Sequence, residues 1–273
     1  MFSSKSIIFL VSTILVFCES GFGKNILIIL YIVSNLYISV DNLPKCDIND
    51  GDCERDLVQS VLQDIAKTGI SELGIPAIDP IELRNMTFSI LNMLDLTLVE
   101  GNFIGIKNCK VEKFFTDVED EHAFLELSCD SVTVKGQYKA FASNPLINVF
   151  VGGETVNGDG SFKVKIDELH IRFDYYFYIQ QRADDIYIKC KRDKTIYEHD
   201  IGKMTFYVDN LRPGKREMVT SLLNENWKLL MTTFGKTFMD RAMELVYDYV
   251  HKFFDTVPCK YYILNDLTEY AKP

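Results

Sequence analysis

The feature that most constrains this chain is one long helical pattern near its C-terminus. Between Lys215 and Val257 the sequence has no proline and a single glycine, Gly235, which would permit a bend. Within that stretch, residues recur on one face every three or four positions: Met218, Leu222, Asn226, Leu230, Phe234, Phe238, Ala242, Leu245, Tyr249 and Phe253. The pattern predicts one helix of roughly 40 residues, about 60 Å long, that ends at Pro258. A helix of that length needs a large partner to cover its apolar face.

The partner is predicted by a second pattern, with a period of two, between about Phe88 and Val208. Apolar residues alternate with polar ones at Leu94, Leu96 and Leu98, at Leu125 and Leu127, at Val132 and Val134, and from Leu169 through Ile171, Phe173, Tyr175 and Phe177 to Ile179. Such alternation is typical of antiparallel strands that bury one face. The two patterns together predict an α+β fold in which a strongly curved antiparallel sheet wraps the long C-terminal helix.

Residues 1–40 are predicted to form a targeting segment, which leaves 41–273 as the functional domain. Lys5 precedes an apolar run from Ile7 to Cys18, the length of a signal-peptide core. A second apolar run extends from Ile26 to Val40, so cleavage near residue 23, cleavage near residue 40 and a retained membrane anchor all stay open. Asn85-Met86-Thr87 is a glycosylation sequon, as expected for an exported protein.

The net charge of the chain argues against nucleic acid and against anionic membranes as partners. The chain has 29 basic and 39 acidic residues, a formal net charge of −10. Nucleic-acid binding needs a basic surface, and anionic membranes attract basic segments, so we expect neither nucleic acid nor a stable membrane association. A neutral ligand held inside the protein is compatible with this charge.

Beyond Cys18, six cysteines remain and no CxxC motif occurs, so an oxidising compartment would favour disulfides. If residues 106–132 form a hairpin that turns around Glu119, Cys109 faces Cys129 at bonding distance. Two buried thiols are the alternative for that pair. Cys190 and Cys259 would then be left as a third pair by elimination alone.

Six short segments, in order, carry a family resemblance. They are Leu43-Pro44-Lys45-Cys46 with Cys53, Gly74-Ile75-Pro76-Ala77-Ile78-Asp79-Pro80-Ile81, Gly136-Gln137-Tyr138, Val208-Asp209-Asn210-Leu211, Leu223-Asn224-Glu225-Asn226-Trp227, and Phe253-Phe254-Asp255-Thr256-Val257-Pro258. Over about residues 43–262 the chain resembles the insect haemolymph juvenile hormone-binding and takeout-like proteins. It departs from them at Arg212-Pro213-Gly214 and at Cys259.

The resemblance implies an apolar tunnel around the long helix and a disulfide between Cys46 and Cys53. The tunnel would hold an elongated apolar molecule, such as a juvenile hormone-like terpenoid or a fatty acyl lipid. Its candidate lining residues are Tyr138, Phe173, Tyr175, Phe177, Trp227, Phe234 and Phe238. The residues alone favour an ordinary solid core for these aromatics, and the resemblance alone supplies the expectation of a hollow interior.

The sequence contains no GxSxG, no HExxH and no glycine-rich phosphate loop. We therefore predict a secreted, non-catalytic carrier of a small hydrophobic ligand, with no cofactor and no metal site. The alternatives are a membrane-tethered extracellular interaction protein with a solid core and, more remotely, a hydrolase of lipid esters. Oligomeric state does not follow from the sequence.

Overall fold

The computed structural model describes residues 43–90, 94–142, 157–209 and 215–272. The targeting segment predicted over residues 1–40 and the divergent Arg212-Pro213-Gly214 segment lie outside the described residues. None of the helices in the described part is long and apolar enough to cross a membrane.

The N-terminal helix, α1, spans Gly51–Thr68. It begins after Asp50, whose carboxylate accepts a hydrogen bond from the backbone N–H of Cys53 at 3.0 Å and so caps the first turn. It ends at Gly69, whose φ of 66° lies in the left-handed region that glycine adopts freely. The apolar residues Leu57, Val58 and Ile65 recur at helical spacing, which gives α1 one face to bury.

Eight strands form the sheet in the described part of the chain. They are β1 (Ile81–Ile90), β2 (Leu94–Ile104), β3 (Lys110–Asp117), β4 (His122–Ala142), β5 (Gly158–Arg182), β6 (Asp185–Cys190), β7 (Ile196–Val208) and β8 (Ala271–Lys272). All pairings are antiparallel except that of the two-residue β8, which joins β5 in parallel. The sheet starts at Ile81, earlier than the alternating pattern indicated.

The two longest strands, β4 with 21 residues and β5 with 25, form the centre of the sheet. One half of β4 pairs with β2 and the other half with β3, while β5 pairs with β7 over its first half and with β6 over its second. The sheet is curled and does not close: among the described strands, β1 pairs with β2 alone and β7 with β5 alone. The predicted α+β architecture is confirmed.

The alternating pattern changes phase inside β5. Leu169, Phe173 and Phe177 are buried, as the odd-numbered run predicts. Before Leu169, however, the residues that face inward are even-numbered, as at Phe162 and Ile166. The change occurs at Glu168, whose φ of 54° is in the left-handed region. A local kink of this kind bends and twists a strand, which suits a curled sheet.

The C-terminal helical region is two helices rather than the single helix predicted. The first, α2, spans Lys215–Glu225 and the second, α3, spans Trp227–Thr256. The break falls at Asn226, whose φ of −111° and ψ of 16° are not helical. Its side-chain amide donates to the Leu222 carbonyl at 2.8 Å, a local side-chain bond that competes with regular helical structure. Gly235, where we expected a possible bend, lies inside α3 without interrupting it.

Two disulfides are present in the described part of the chain. Cys46 is bonded to Cys53 and Cys109 to Cys129. The second bond continues the ladder of the β3–β4 hairpin, in which Lys110 pairs with Ser128.

The third pair reached by elimination is wrong, because Cys190 and Cys259 are free thiols. The Cys259 sulfur instead lies 3.6 Å from the Tyr262 hydroxyl, within the core. Burial raises the pKa of Cys190 to about 12 and that of Cys259 to about 11, so both thiols stay protonated at neutral pH.

Candidate ligand cavity

A cavity of about 890 Å³ lies between the inner face of the sheet and the three helices. The sheet contributes alternating side chains, among them Leu94, Leu96, Leu98, Leu125, Leu127, Val134, Phe162, Val164, Ile166, Leu169 and Ile171. The helices contribute Leu57, Val58, Val61, Leu62 and Ile65 from α1, Met218, Val219, Leu222 and Leu223 from α2, and Leu230, Met239, Ala242, Leu245, Tyr249 and Phe253 from α3. The periodic positions predicted from the sequence thus converge on one apolar space.

The structure places most, but not all, of the predicted aromatic lining residues in the cavity wall. Tyr138, Phe173, Tyr175, Phe177 and Phe238 all line the cavity. The Phe173 and Tyr175 rings stack with centroids 5.5 Å apart, which fixes one stretch of wall. Phe238, on α3, packs against Phe88 of β1 with centroids 4.3 Å apart and so joins the helix to the edge of the sheet.

The other two predicted lining residues, Trp227 and Phe234, are not among the described residues of the cavity wall. Trp227 is the first residue of α3 and is half-buried, with the Lys228 ammonium 5.6 Å from the centre of a Trp227 ring. It is not among the described residues that line the cavity, and its contact with a ligand stays a prediction. The side chain of Phe234 lies outside the described residues.

The lining contains very few polar groups. A carboxyl, that of Glu54 on α1, and the hydroxyl of Thr116 on β3 lie in the wall together. The Thr116 hydroxyl donates to Oε1 of Glu54 at 2.8 Å. Burial, with a further contribution from the negative charges of Asp50 and Asp47, raises the pKa of Glu54 to about 7.

Sequence reasoning missed Glu54, although a signal was available. It precedes Leu57 by three residues and Val58 by four, so it occupies the apolar face of α1. A carboxyl at a position of that kind is buried when the helix packs.

Tyr138 and Tyr175, both predicted as lining residues, add hydroxyls to the wall, alongside Asn157, Tyr207, Tyr249 and Tyr262. Burial raises the pKa of Tyr175, and burial together with the charges of Asp159 and Asp209 raises that of Tyr138. Both phenols are therefore neutral hydroxyls at physiological pH, able to orient a ligand but not to carry charge.

A second depression, an open groove of about 1110 Å³, shares Leu83, Phe162, Tyr207 and Val208 with the cavity wall. Its wall mixes charges of both signs, as with Arg84, Glu100, Lys135 and Lys163. A groove of this composition stays hydrated and does not favour an apolar molecule. Among the described residues, no group of three or more His, Cys, Asp or Glu side chains could hold a metal ion. The apolar cavity is therefore the candidate functional site.

The sequence profile of the haemolymph juvenile hormone binding protein family matches residues 26–264. The chain belongs to this family. The match spans α1, strands β1 to β7, α2 and α3, and so includes every one of these elements that lines the cavity.

Comparison with solved structures agrees with the family in fold. The crystal structure of Epiphyas postvittana Takeout 1 is similar with a TM-score of 0.69 at 24% sequence identity, over 81% of this chain and 99% of that one. A lipopolysaccharide binding protein is matched with a TM-score of 0.39 at 13% identity, over 75% of this chain and 38% of that one, too weak a likeness to support an argument. A sequence comparison with curated proteins finds no significant match.

Proposed function

We propose that this protein is a secreted, non-catalytic carrier that holds one small, elongated apolar molecule in an internal tunnel. The observation that supports this most directly is the cavity of about 890 Å³ with its almost wholly apolar lining. Sites for small molecules occupy roughly 300–1,000 Å³ and are mostly apolar with a few polar groups. Each 100 Å² of apolar ligand surface removed from water would contribute about 2.5 kcal/mol to binding.

The size of the cavity argues against a solid core. Large-to-small substitutions in cores cost about 24 cal/mol per Å³ of void, so a dry void of this volume would cost on the order of 20 kcal/mol. That exceeds the net stability of roughly 5–15 kcal/mol typical of a folded protein. An empty space of this volume would therefore be costly, and an apolar ligand would fill it better than water, which apolar walls hold poorly.

The ligand class we propose is a juvenile hormone-like terpenoid or a fatty acyl lipid. The name of the family supports the first and the apolar wall supports both. Because the chain is acidic, with a net charge of −10, it should deliver such a ligand without binding nucleic acid or resting stably on a membrane.

Secretion is part of the proposal. Residues 1–40 would direct export and residues 41–273 would form the carrier domain. Two disulfides support an oxidising compartment.

The direct test is native mass spectrometry of the secreted protein, followed by denaturation of the same sample. We expect an apolar molecule that is bound in the native protein and released on denaturation. Protein that carries nothing and takes up no neutral apolar probe would contradict the carrier proposal and favour the membrane-tethered interaction protein.

Filling the cavity should weaken ligand binding without unfolding the protein. Ala242 of α3 lines the cavity, and Ala242→Trp places a large ring in it. We expect the Kd for the neutral fluorophore Nile red to rise at least about tenfold, which corresponds to about 1.4 kcal/mol. Fluorescence titration measures this, and circular dichroism checks that the fold persists.

The matched control is Thr233→Trp, which adds the same ring at an exposed position of the same helix. It should leave the Kd unchanged. Equal affinity for Nile red in the wild type and in Ala242→Trp would show that the probe binds elsewhere.

Glycosylation of Asn85 tests export independently of the ligand. Asn85 is exposed on the edge strand β1, at a gap in the ladder where the register passes from Arg84 with Glu100 to Met86 with Leu98. We expect protein from a eukaryotic secretory pathway to lose mass on treatment with an N-glycosidase, and Asn85→Gln to remove that loss. Asn102→Gln, outside any sequon, should keep it, and secreted wild-type protein without a glycan would refute the prediction.

A further inference from the structure

The wall of the cavity contains one carboxylate oxygen that no protein group satisfies. Glu54 is 7% exposed and lines the cavity. Its Oε1 atom accepts the hydrogen bond from Thr116, whereas its Oε2 atom is buried and has no hydrogen-bond partner among the described residues. A buried acceptor without a partner costs about 1–3 kcal/mol, and more when it carries charge.

Among the described residues, Thr116 alone acts as a hydrogen-bond donor to the Glu54 carboxyl, and Oε2 of Glu54 has no partner there. The charged groups that act on Glu54 are Asp50 and Asp47, both acidic, and they disfavour its ionised form rather than balance it. The single hydrogen of the Thr116 hydroxyl is already engaged with Oε1. No ion pair to Glu54 is present among the described residues. Within the described part of the chain Oε2 therefore has no donor, and its place in the cavity wall leaves it free to accept one from a bound ligand.

The position of Glu54 is fixed rather than incidental. It follows Cys53, which the disulfide ties to Cys46, and Asp50 caps the same turn of α1. Thr116 sits on β3, in register with Ala123 of β4, and this pairing holds its hydroxyl against the carboxyl. Both ends of the hydrogen bond thus belong to rigid elements, as a recognition site requires.

We propose that Glu54, positioned by Thr116, is a polar anchor that recognises a hydroxyl group on an otherwise apolar ligand. The inference rests on the proposed carrier function and narrows its ligand class to those terpenoids or fatty acyl lipids that carry a hydroxyl group. The hydroxyl of the ligand would donate to Oε2 of Glu54 while the hydrocarbon lies along the apolar wall.

Other head groups suit this anchor less well. A ligand carboxylate would be repelled by Glu54, Asp47 and Asp50. An ether or a simple ester has acceptors but no donor, and leaves Oε2 unsatisfied. An ammonium group would lose most of its hydration in this apolar wall, at a far higher cost than a hydroxyl.

Two isomers that differ in the donor alone test the anchor: 1-tetradecanol and 1-methoxytridecane. Each competes with Nile red for the wild-type protein at pH 8.5, where a carboxyl with a pKa of about 7 is ionised and can only accept. We expect the alcohol to bind about tenfold or more tightly than the ether, because hydrogen bonds to charged groups are among the strongest in proteins. The same competition is then repeated with Glu54→Met, which replaces the carboxyl by an apolar chain of similar length.

In Glu54→Met the preference for the alcohol should vanish, through weaker binding of the alcohol while the ether keeps its affinity. Asp64→Asn, an exposed acidic residue of the same helix, should retain the full preference. Should Glu54→Met fail to fold, the wild-type comparison of the two isomers decides alone.

The outcomes separate the two proposals. Equal affinity of the isomers for the wild type, or a preference that survives Glu54→Met, would overturn the anchor and leave the carrier proposal standing. Failure of Nile red and of both isomers to bind would overturn the carrier proposal and the anchor with it.

Discussion

The double variant Cys109→Ala with Cys129→Ala is expected to lower the free energy of unfolding by about 3 kcal/mol, as predicted by loop-closure entropy for a loop of roughly 20 residues. The two cysteines are 20 positions apart and both are buried. Without the bond, the unfolded chain gains conformational freedom, and this gain is the main source of the expected loss. Urea denaturation followed by tryptophan fluorescence measures the loss, since Trp227 is the sole tryptophan.

The region around this bond explains why the effect should be global. Gln59 of α1 donates to the carbonyl of Cys109 at 3.2 Å and accepts from the N–H of Val111 at 2.7 Å. The disulfide therefore fixes the start of β3, the middle of β4 and the attachment of α1 together. Loss of the bond loosens one wall of the cavity as well as the hairpin.

The second disulfide provides the comparison. Cys46 and Cys53 are 7 positions apart, so Cys46→Ala with Cys53→Ala should cost about 2–2.5 kcal/mol, less than the first pair. The order of the two losses is the decisive quantity. A smaller loss for the Cys109–Cys129 pair than for the Cys46–Cys53 pair would contradict the loop-entropy explanation.

The position of Cys109 opposite Cys129 was predictable by counting residues along the two strands of the hairpin. Once a hairpin turns near Glu119, the number of residues on each side sets the pairing. The structure turns between Asp117 and His122, which is close enough to keep the two sulfurs opposite. The state of Cys190 and Cys259 could not be obtained by counting, since it depends on where β6 and the turn after α3 pack.

Periodicity predicted which residues line the cavity but not where the elements break. Asn226 lies at a position of the helical repeat and yet separates α2 from α3, because a side-chain amide can bond the preceding turn. Similarly, Glu168 shifts the inward-facing residues of β5 from even to odd numbers. Both breaks depend on single backbone conformations, to which a pattern averaged over many residues is insensitive.

Whether the interior is hollow was also beyond the sequence. Phe173, Tyr175 and Phe177 would be apolar and buried in a solid core and in a cavity wall alike. The difference is set by how far the curl of the sheet holds β4 and β5 from α3, which is a property of the whole fold. Residue type therefore predicted the wall, and the family resemblance supplied the expectation of a space behind it.

The second large expected effect is a dependence of stability on pH that disappears in Glu54→Gln. In the folded protein burial raises the pKa of Glu54 to about 7, whereas an unfolded chain has a glutamate pKa of about 4.3. Between these two values the unfolded state releases its proton while the folded state keeps it. The free energy of unfolding therefore falls as pH rises through this window, by up to about 3 kcal/mol at pH 8 relative to pH 4.

Glutamine retains the shape and the acceptor for Thr116 but never ionises, so Glu54→Gln should lack this contribution. We expect the free energy of unfolding of the variant, minus that of the wild type, to increase from pH 4 to pH 8 by up to about 3 kcal/mol. Urea denaturation of ligand-free protein at several pH values measures the difference. Subtraction also removes the effect of His199 and His251, whose pKa values burial lowers, because both proteins contain them.

Asp64→Asn is the matched control, since it removes an exposed carboxylate from the same helix. Its difference from the wild type should stay nearly constant over the same range, because the substitution leaves the buried carboxyl of Glu54 in place. Parallel stability curves for Glu54→Gln and the wild type would mean that Glu54 ionises as easily in the fold as in water. The Glu54 carboxyl would then be solvated in the ligand-free protein, and a bound hydroxyl would have to displace that water to reach Oε2.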